Sequence, residues 1–149
     1  MALLAWIYEK LVDWSDNYAW TDDEIITWIM LYYISNAGPA ASVRIYYESD
    51  HKNPQGLTFV SREDTGTYYV PGVPFGWSRF PKELLLSPKS WAHNIGPLVH
   101  FSDNPRGGHF AATEQPEIIT RDLVQMLQRG GPCYGVVNGR SGYEARAKL

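Results

Sequence analysis

The sequence predicts an α/β fold whose sheet is incomplete. Three observations point to it. Residues up to about 47 carry only helical patterns, ended by turn residues. Residues 68 to 128 then read strand, helix, strand, helix, the order that builds a parallel sheet with helices packed on it. Only two strand candidates occur, too few for a parallel sheet to stand alone with both faces covered.

Each element has a local cause. In residues 2 to 14, Leu3, Leu4, Ile7, Leu11 and Trp14 form one stripe, with Glu9, Lys10 and Asp13 mostly on the other side. Ser15-Asp16-Asn17 ends that helix. Thr21-Asp22-Asp23-Glu24 reads as a capping box, and its acidic residues suit the positive end of the helix dipole. The helix that follows, through Ile25, Ile26, Trp28, Ile29, Leu31, Tyr32 and Tyr33, is apolar almost all round and is expected to be buried. Asn36-Ala37-Gly38-Pro39 breaks it, and a third helix is expected from Ala40 to Tyr47. Residues 49 to 67 are polar and read as a surface loop.

The run Tyr68 to Phe75 is β-like, although Pro71 and Pro74 bar a full ladder along it. Ser87-Pro88 starts a short helix, with Ser87 as N-cap and Pro88 in the first turn. Pro97 to Phe101 is the second strand candidate. A final helix is expected from Gln115 to Gln128, with Ile118, Ile119, Leu123, Met126 and Leu127 as its apolar stripe. Residues 129 to 149 are glycine-rich, weakly periodic and without an apolar face, and are expected to be disordered or poorly packed.

The chain has 149 residues, enough for one modest domain or part of a larger one. Lys and Arg total 13 against 16 Asp and Glu, a balance that argues against a nucleic-acid partner. Hydrophobic residues make up 44% and aromatics 14%, which supports a packed core. The 10 tyrosines and 6 tryptophans fit either amphipathic packing or an aromatic-lined pocket. Cys133 is the only cysteine, so the sequence holds no internal disulfide and no multi-cysteine zinc site. No two histidines have metal-ligand spacing, so no metal and no cofactor is expected. No apolar stretch approaches the roughly 20 residues of a membrane span, and the first residues lack a signal-peptide pattern. A soluble, cytoplasmic protein is expected.

The stretch Arg106-Gly107-Gly108-His109-Phe110-Ala111-Ala112 concentrates the chemistry. The glycine pair allows a tight turn and close backbone approach, and the histidine on it is suited to proton transfer near neutral pH. In open α/β sheets active groups gather at the carboxyl ends of strands. Glu83 follows the first strand and His109 the second, so a carboxylate could hold the imidazole tautomer. Spacing alone leaves two readings open: such a pair, or a solvated loop carboxylate and a turn histidine bonded to nearby backbone. His51, His93 and His100 show no partner pattern and read as surface or packing residues.

Five segments occur in an order that carries a resemblance. They are Leu4-Ala5-Trp6-Ile7-Tyr8-Glu9-Lys10-Leu11, Trp28-Ile29-Met30-Leu31-Tyr32-Tyr33, Ser42-Val43-Arg44-Ile45-Tyr46-Tyr47-Glu48, Phe80-Pro81-Lys82-Glu83-Leu84, and the glycine turn with His109. Together they resemble the C-terminal half of microsomal-type epoxide hydrolases, including the fungal ones, in the α/β-hydrolase superfamily. The resemblance covers residues 2 to 128. It implies a helical cap segment with its connecting loop over residues 1–66, a C-terminal α/β-hydrolase segment over 67–128, and an unmatched tail over 129–149.

In that family an aspartate attacks an oxirane carbon, two cap tyrosines hydrogen-bond the epoxide oxygen, and a histidine backed by a carboxylate activates water against the ester. The resemblance makes His109 the general base, Glu83 its charge-relay carboxylate, and Tyr46 a proton donor to the epoxide oxygen. Tyr47 competes, but the family's tyrosine follows the arginine by two positions, which selects Tyr46. The implied substrate is a small apolar or aromatic epoxide, and a homo-oligomer is possible. The family's nucleophile, oxyanion-hole turn and second cap tyrosine lie upstream and have no counterpart here. Met1 resembles an internal methionine of the family, and a truncated or misjoined gene would account for both ends. The expected protein is therefore an epoxide hydrolase segment that is inactive alone. The alternative is a non-catalytic remnant that binds an apolar ligand or pairs with another chain.

Overall fold

The computed structural model describes residues 1–50 and 69–143. Three helices come first: α1 (Ala2–Asp13), α2 (Asp22–Tyr33) and α3 (Ala41–Asp50). After the undescribed stretch come β1 (Phe75–Arg79), a 3-10 helix (Lys89–Asn94), β2 (Leu98–Asp103), the single turn α4 (Ala111–Glu114) and α5 (Pro116–Leu127). Most of the expected loop over 49–67, and the expected segment boundary at 66/67, lie outside the described residues.

α1 and α2 pack face to face. Leu11, 1% exposed, sits with Ile7 and Ile25 in a cluster that Leu3, Trp6, Trp20, Trp28, Ile29, Tyr32 and Phe110 complete. The free carbonyl of Leu11 near the end of α1 accepts from the Ser15 hydroxyl at 2.6 Å and from the Trp20 indole N–H at 2.7 Å. These donors satisfy a carbonyl that the helix end would otherwise orphan. The capping box forms as read: the Glu24 N–H donates to Thr21 Oγ1 at 3.3 Å, and the Thr21 N–H donates to Glu24 Oε2 at 2.9 Å.

α2 is not buried all round, contrary to its composition. Ile25 is buried, but Ile26 and Leu31 are 55% and 61% exposed. The reason is packing partners: among the described elements, α1 is the main neighbour of α2, so its opposite face is uncovered.

β1 and β2 form a two-stranded parallel sheet. β1 begins at Phe75, where the β-like run was expected to end. Pro71 and Pro74 have no N–H to give, and the ladder starts once Phe75 N–H can donate to the Pro97 carbonyl, at 2.9 Å. The short helix before β2 is a 3-10 helix with Pro88, not Ser87, at its N-cap position.

α5 lies on the sheet, but its sheet-facing side is not purely apolar. Ile118 is buried, whereas Leu123 and Leu127 are exposed. Asp122, 3% exposed, occupies the inner face instead. Its carboxylate accepts from Ser78 Oγ on β1 at 2.7 Å, from Ser102 Oγ on β2, and from the Arg121 guanidinium at 2.9 Å. A charge buried this deep persists because it is fully hydrogen-bonded. Burial pushes the Asp122 carboxyl up, but the bonds from Ser102, Ser78 and Arg121 outweigh it and hold it below the usual carboxylate range. His100, read as a surface or packing residue, lies beside this group with Nε2 3.5 Å from Asp122 Oδ1, without a hydrogen-bond partner.

Beyond α5, the Cys133 N–H donates to the Met126 carbonyl at 3.0 Å and the Tyr143 hydroxyl to the Leu127 carbonyl at 3.2 Å. Residues 129–143 thus fold back over the end of α5. No described helix is long and apolar enough to cross a membrane.

Candidate active site

Parallel pairing brings the two chemistry-bearing loops together. The strands run in register to Arg79 and Asp103, and the chains pair once more at Lys82 and Gly108. The Lys82 N–H donates to the Gly107 carbonyl at 3.1 Å. The next residue on each chain is Glu83 and His109.

Their side chains meet: His109 Nδ1 is 2.7 Å from Glu83 Oε1. A carboxylate only accepts, so Nδ1 carries the proton and Nε2 is left as the basic nitrogen. The side chains are 39% and 37% exposed, so the pair is open to water. The His109 ring packs edge-on to Trp14, centroids 5.1 Å apart, and to Phe110 at 5.3 Å. Phe110 in turn contacts Trp14, Trp20 and Trp28. The turn is therefore anchored by an aromatic residue driven into the α1–α2 core. Ala111, on its other side, joins Phe80 and Ile118 in a second cluster.

Tyr46 lies on α3, edge-on to Trp6 of α1 with centroids 6.2 Å apart. Trp6 packs against the cluster that also holds Phe110. Tyr46 and His109 thus border the same aromatic assembly from different elements.

The glycines of the turn have separate reasons. Gly107 has φ +108°, a conformation that L side chains rarely adopt. At Gly108 a Cβ would lie 2.5 Å from the Trp14 carbonyl oxygen, so the turn could not approach the end of α1 with any side chain there.

Two carboxylates at the site were not read as functional from the sequence. Asp16 Oδ2 accepts from the Gly107 N–H at 2.8 Å, and Glu114 Oε1 accepts from the Gly108 N–H at 3.1 Å. The signal available was the donor count. A glycine turn outside any ladder leaves N–H groups that must find acceptors when buried, but nothing local says which residues supply them. Among the described residues, no group of three His, Cys, Asp or Glu is arranged to hold a metal ion.

A Stigmatella aurantiaca protein bearing an epoxide hydrolase name is 38% identical over 131 residues, covering 84% of this chain and 27% of that protein. Epoxide hydrolase 1 of Sus scrofa is 33% identical over 140 residues, covering 85% of this chain and 29% of its own. The structure of Aspergillus niger epoxide hydrolase superposes with a TM-score of 0.62 at 36% identity, over 83% of this chain and 28% of that one. This chain carries an epoxide hydrolase family segment. Its fold is part of an α/β-hydrolase. The juvenile hormone epoxide hydrolase of Bombyx mori also superposes, with a TM-score of 0.59 at 26% identity, over 82% of this chain and 32% of that one. The chain spans less than a third of the length of these epoxide hydrolases. No protein-family model matches it.

Proposed function

We propose that this chain provides the water-activating half of an epoxide-hydrolysing site. The observation that carries the reading is the 2.7 Å contact between His109 Nδ1 and Glu83 Oε1. In the proposed chemistry, His109 Nε2 takes a proton from water as the water attacks a carboxylate ester of the opened epoxide. Glu83 holds the tautomer and stabilises the imidazolium that forms. Tyr46 donates a proton to the oxygen released from the oxirane ring. In a dry pocket such a hydrogen bond is worth more than in water. The substrate class is a small apolar or aromatic epoxide, in keeping with the aromatic surroundings of the turn.

The ester must first be formed by a nucleophilic carboxylate. Asp16 and Glu114 are both committed to backbone N–H groups, and Glu83 faces His109. None of these three carboxylates at the turn is therefore assigned as the nucleophile, and the chain alone is expected not to turn over. The test is hydrolysis of styrene oxide by residues 1–149 beside a His109→Ala control. Diol formed by the wild type and lost in the variant would refute the inactivity and support His109 as base. Equal background in both is the expected result. A second reading, pairing with another chain, is favoured by the exposed apolar side chains Ile34, Ile45 and Leu85.

A further inference from the structure

Three consecutive backbone N–H groups of the histidine turn donate to acceptors elsewhere in the chain. Gly107 donates to Asp16 Oδ2 at 2.8 Å, Gly108 to Glu114 Oε1 at 3.1 Å, and His109 to the Trp14 carbonyl at 2.8 Å. The second oxygen of Glu114 accepts from the Asp16 N–H at 2.6 Å. Glu114 is 8% exposed. One buried carboxylate thus ties the turn bearing His109 to the segment that follows α1, and Asp16 closes the link from the other side.

We propose that Glu114 is a positioning residue for His109. With Asp16 it fixes the turn's backbone so that Nδ1 meets Glu83 and the ring stays edge-on to Trp14. The chemistry of the acceptor matters. Both Glu114 oxygens face N–H donors, which suits a carboxylate, since it accepts at both ends and donates at neither. A glutamine of the same shape satisfies one donor and turns its NH₂ against the other, leaving a buried N–H without an acceptor. The proposal rests on His109 acting as the base, but its test does not depend on turnover.

The experiment is NMR on the ¹⁵N-labelled full chain. It follows amide hydrogen exchange along the backbone and the two-bond ¹⁵N–¹H correlations of the His109 ring, which report the tautomer. The wild type is expected to show the Nδ1–H form. In Glu114→Gln, the Gly108 and Asp16 amides should exchange about tenfold faster, while those of β1 and β2 hold their rates. The His109 tautomer should shift away from Nδ1–H.

Uniformly faster exchange, or an unchanged tautomer, would overturn the positioning role. A second pair of variants keeps the test decisive. Asp16→Ala should release the Gly107 amide and disturb the His109 tautomer. Asp16→Asn keeps an oxygen acceptor and should restore both. If Asp16→Asn behaves like Asp16→Ala, the proposal fails. The NMR readouts need no turnover, whereas the diol assay with His109→Ala reads only hydrolysis, so failure of one is told apart from failure of the other.

Discussion

Replacing Gly107 with alanine measures how tightly the histidine turn is seated. The backbone there has φ +108°, and a Cβ would lie 2.6 Å from Phe80 Cδ1 and 3.0 Å from Gln115 Cγ. Phe80 is 5% exposed and held by Ala111 and Ile118, so its ring cannot swing clear. Two costs combine: backbone strain of about 1–3 kcal/mol, and overpacking of about 1–3 kcal/mol. Gly72 supplies the control. It has φ +76° and nothing within 4 Å of a Cβ, so alanine there carries the strain alone.

The difference between the two variants, about 1–3 kcal/mol from overpacking in addition to the greater strain of φ +108° over +76°, corresponds to about 1 M or more in urea midpoint for a protein of ordinary m-value. Urea unfolding of both variants reads it directly. The clash is also local, so Phe80→Leu in the Gly107→Ala background should recover part of the loss, a coupling visible in a double-mutant cycle. If Gly107→Ala unfolds no earlier than Gly72→Ala, the turn is not packed against Phe80 and Gln115 and the placement of His109 loses its physical basis.

Two further outcomes are expected. Thr21→Ala removes the acceptor for the Glu24 N–H and should destabilise the chain by about 1 kcal/mol, read from the same urea curves. Asp122 has a depressed carboxyl in the folded state, so the stability it confers is complete above the ordinary aspartate value of about 3.9 and drains as pH falls toward its lower folded value. Asp122→Asn should flatten that acid limb of a stability–pH profile. A variant profile parallel to the wild type's would assign the limb to other carboxylates.

What the sequence disclosed depended on how local the cause was. The capping box at Thr21 and Glu24, the breaks at Asn36–Pro39 and the parallel strand order are written in neighbouring residues, and the structure has them. The full burial expected for α2 was not met, because composition reports how apolar a helix is and not how many partners reach it. Asp122 escaped notice for a related reason. An aspartate on an amphipathic helix, next to Arg121, reads as solvent-facing until Ser78 and Ser102, from two strands, are known to converge on it. At the site, Glu83 and His109 were legible as loop residues after successive strands. Asp16 and Glu114 were not, since each answers a backbone donor remote in sequence or hidden within a turn.

The extra rung between Lys82 and Gly108 bears on how such a site can vary over time. Because pairing resumes just before Glu83 and His109, the lengths of the two connecting loops are yoked. A one-residue deletion at 80–81, or an insertion at 104–107, would slide one chain past the other and turn a side chain to the opposite face. Gly107 and Gly108 restrict substitution on one side of this rung, and indels on either loop need a matching change on the other. In a lineage that preserves the Glu83–His109 contact, gaps should therefore be scarce in these two short stretches and common in the 129–143 extension, which bears no part of the rung.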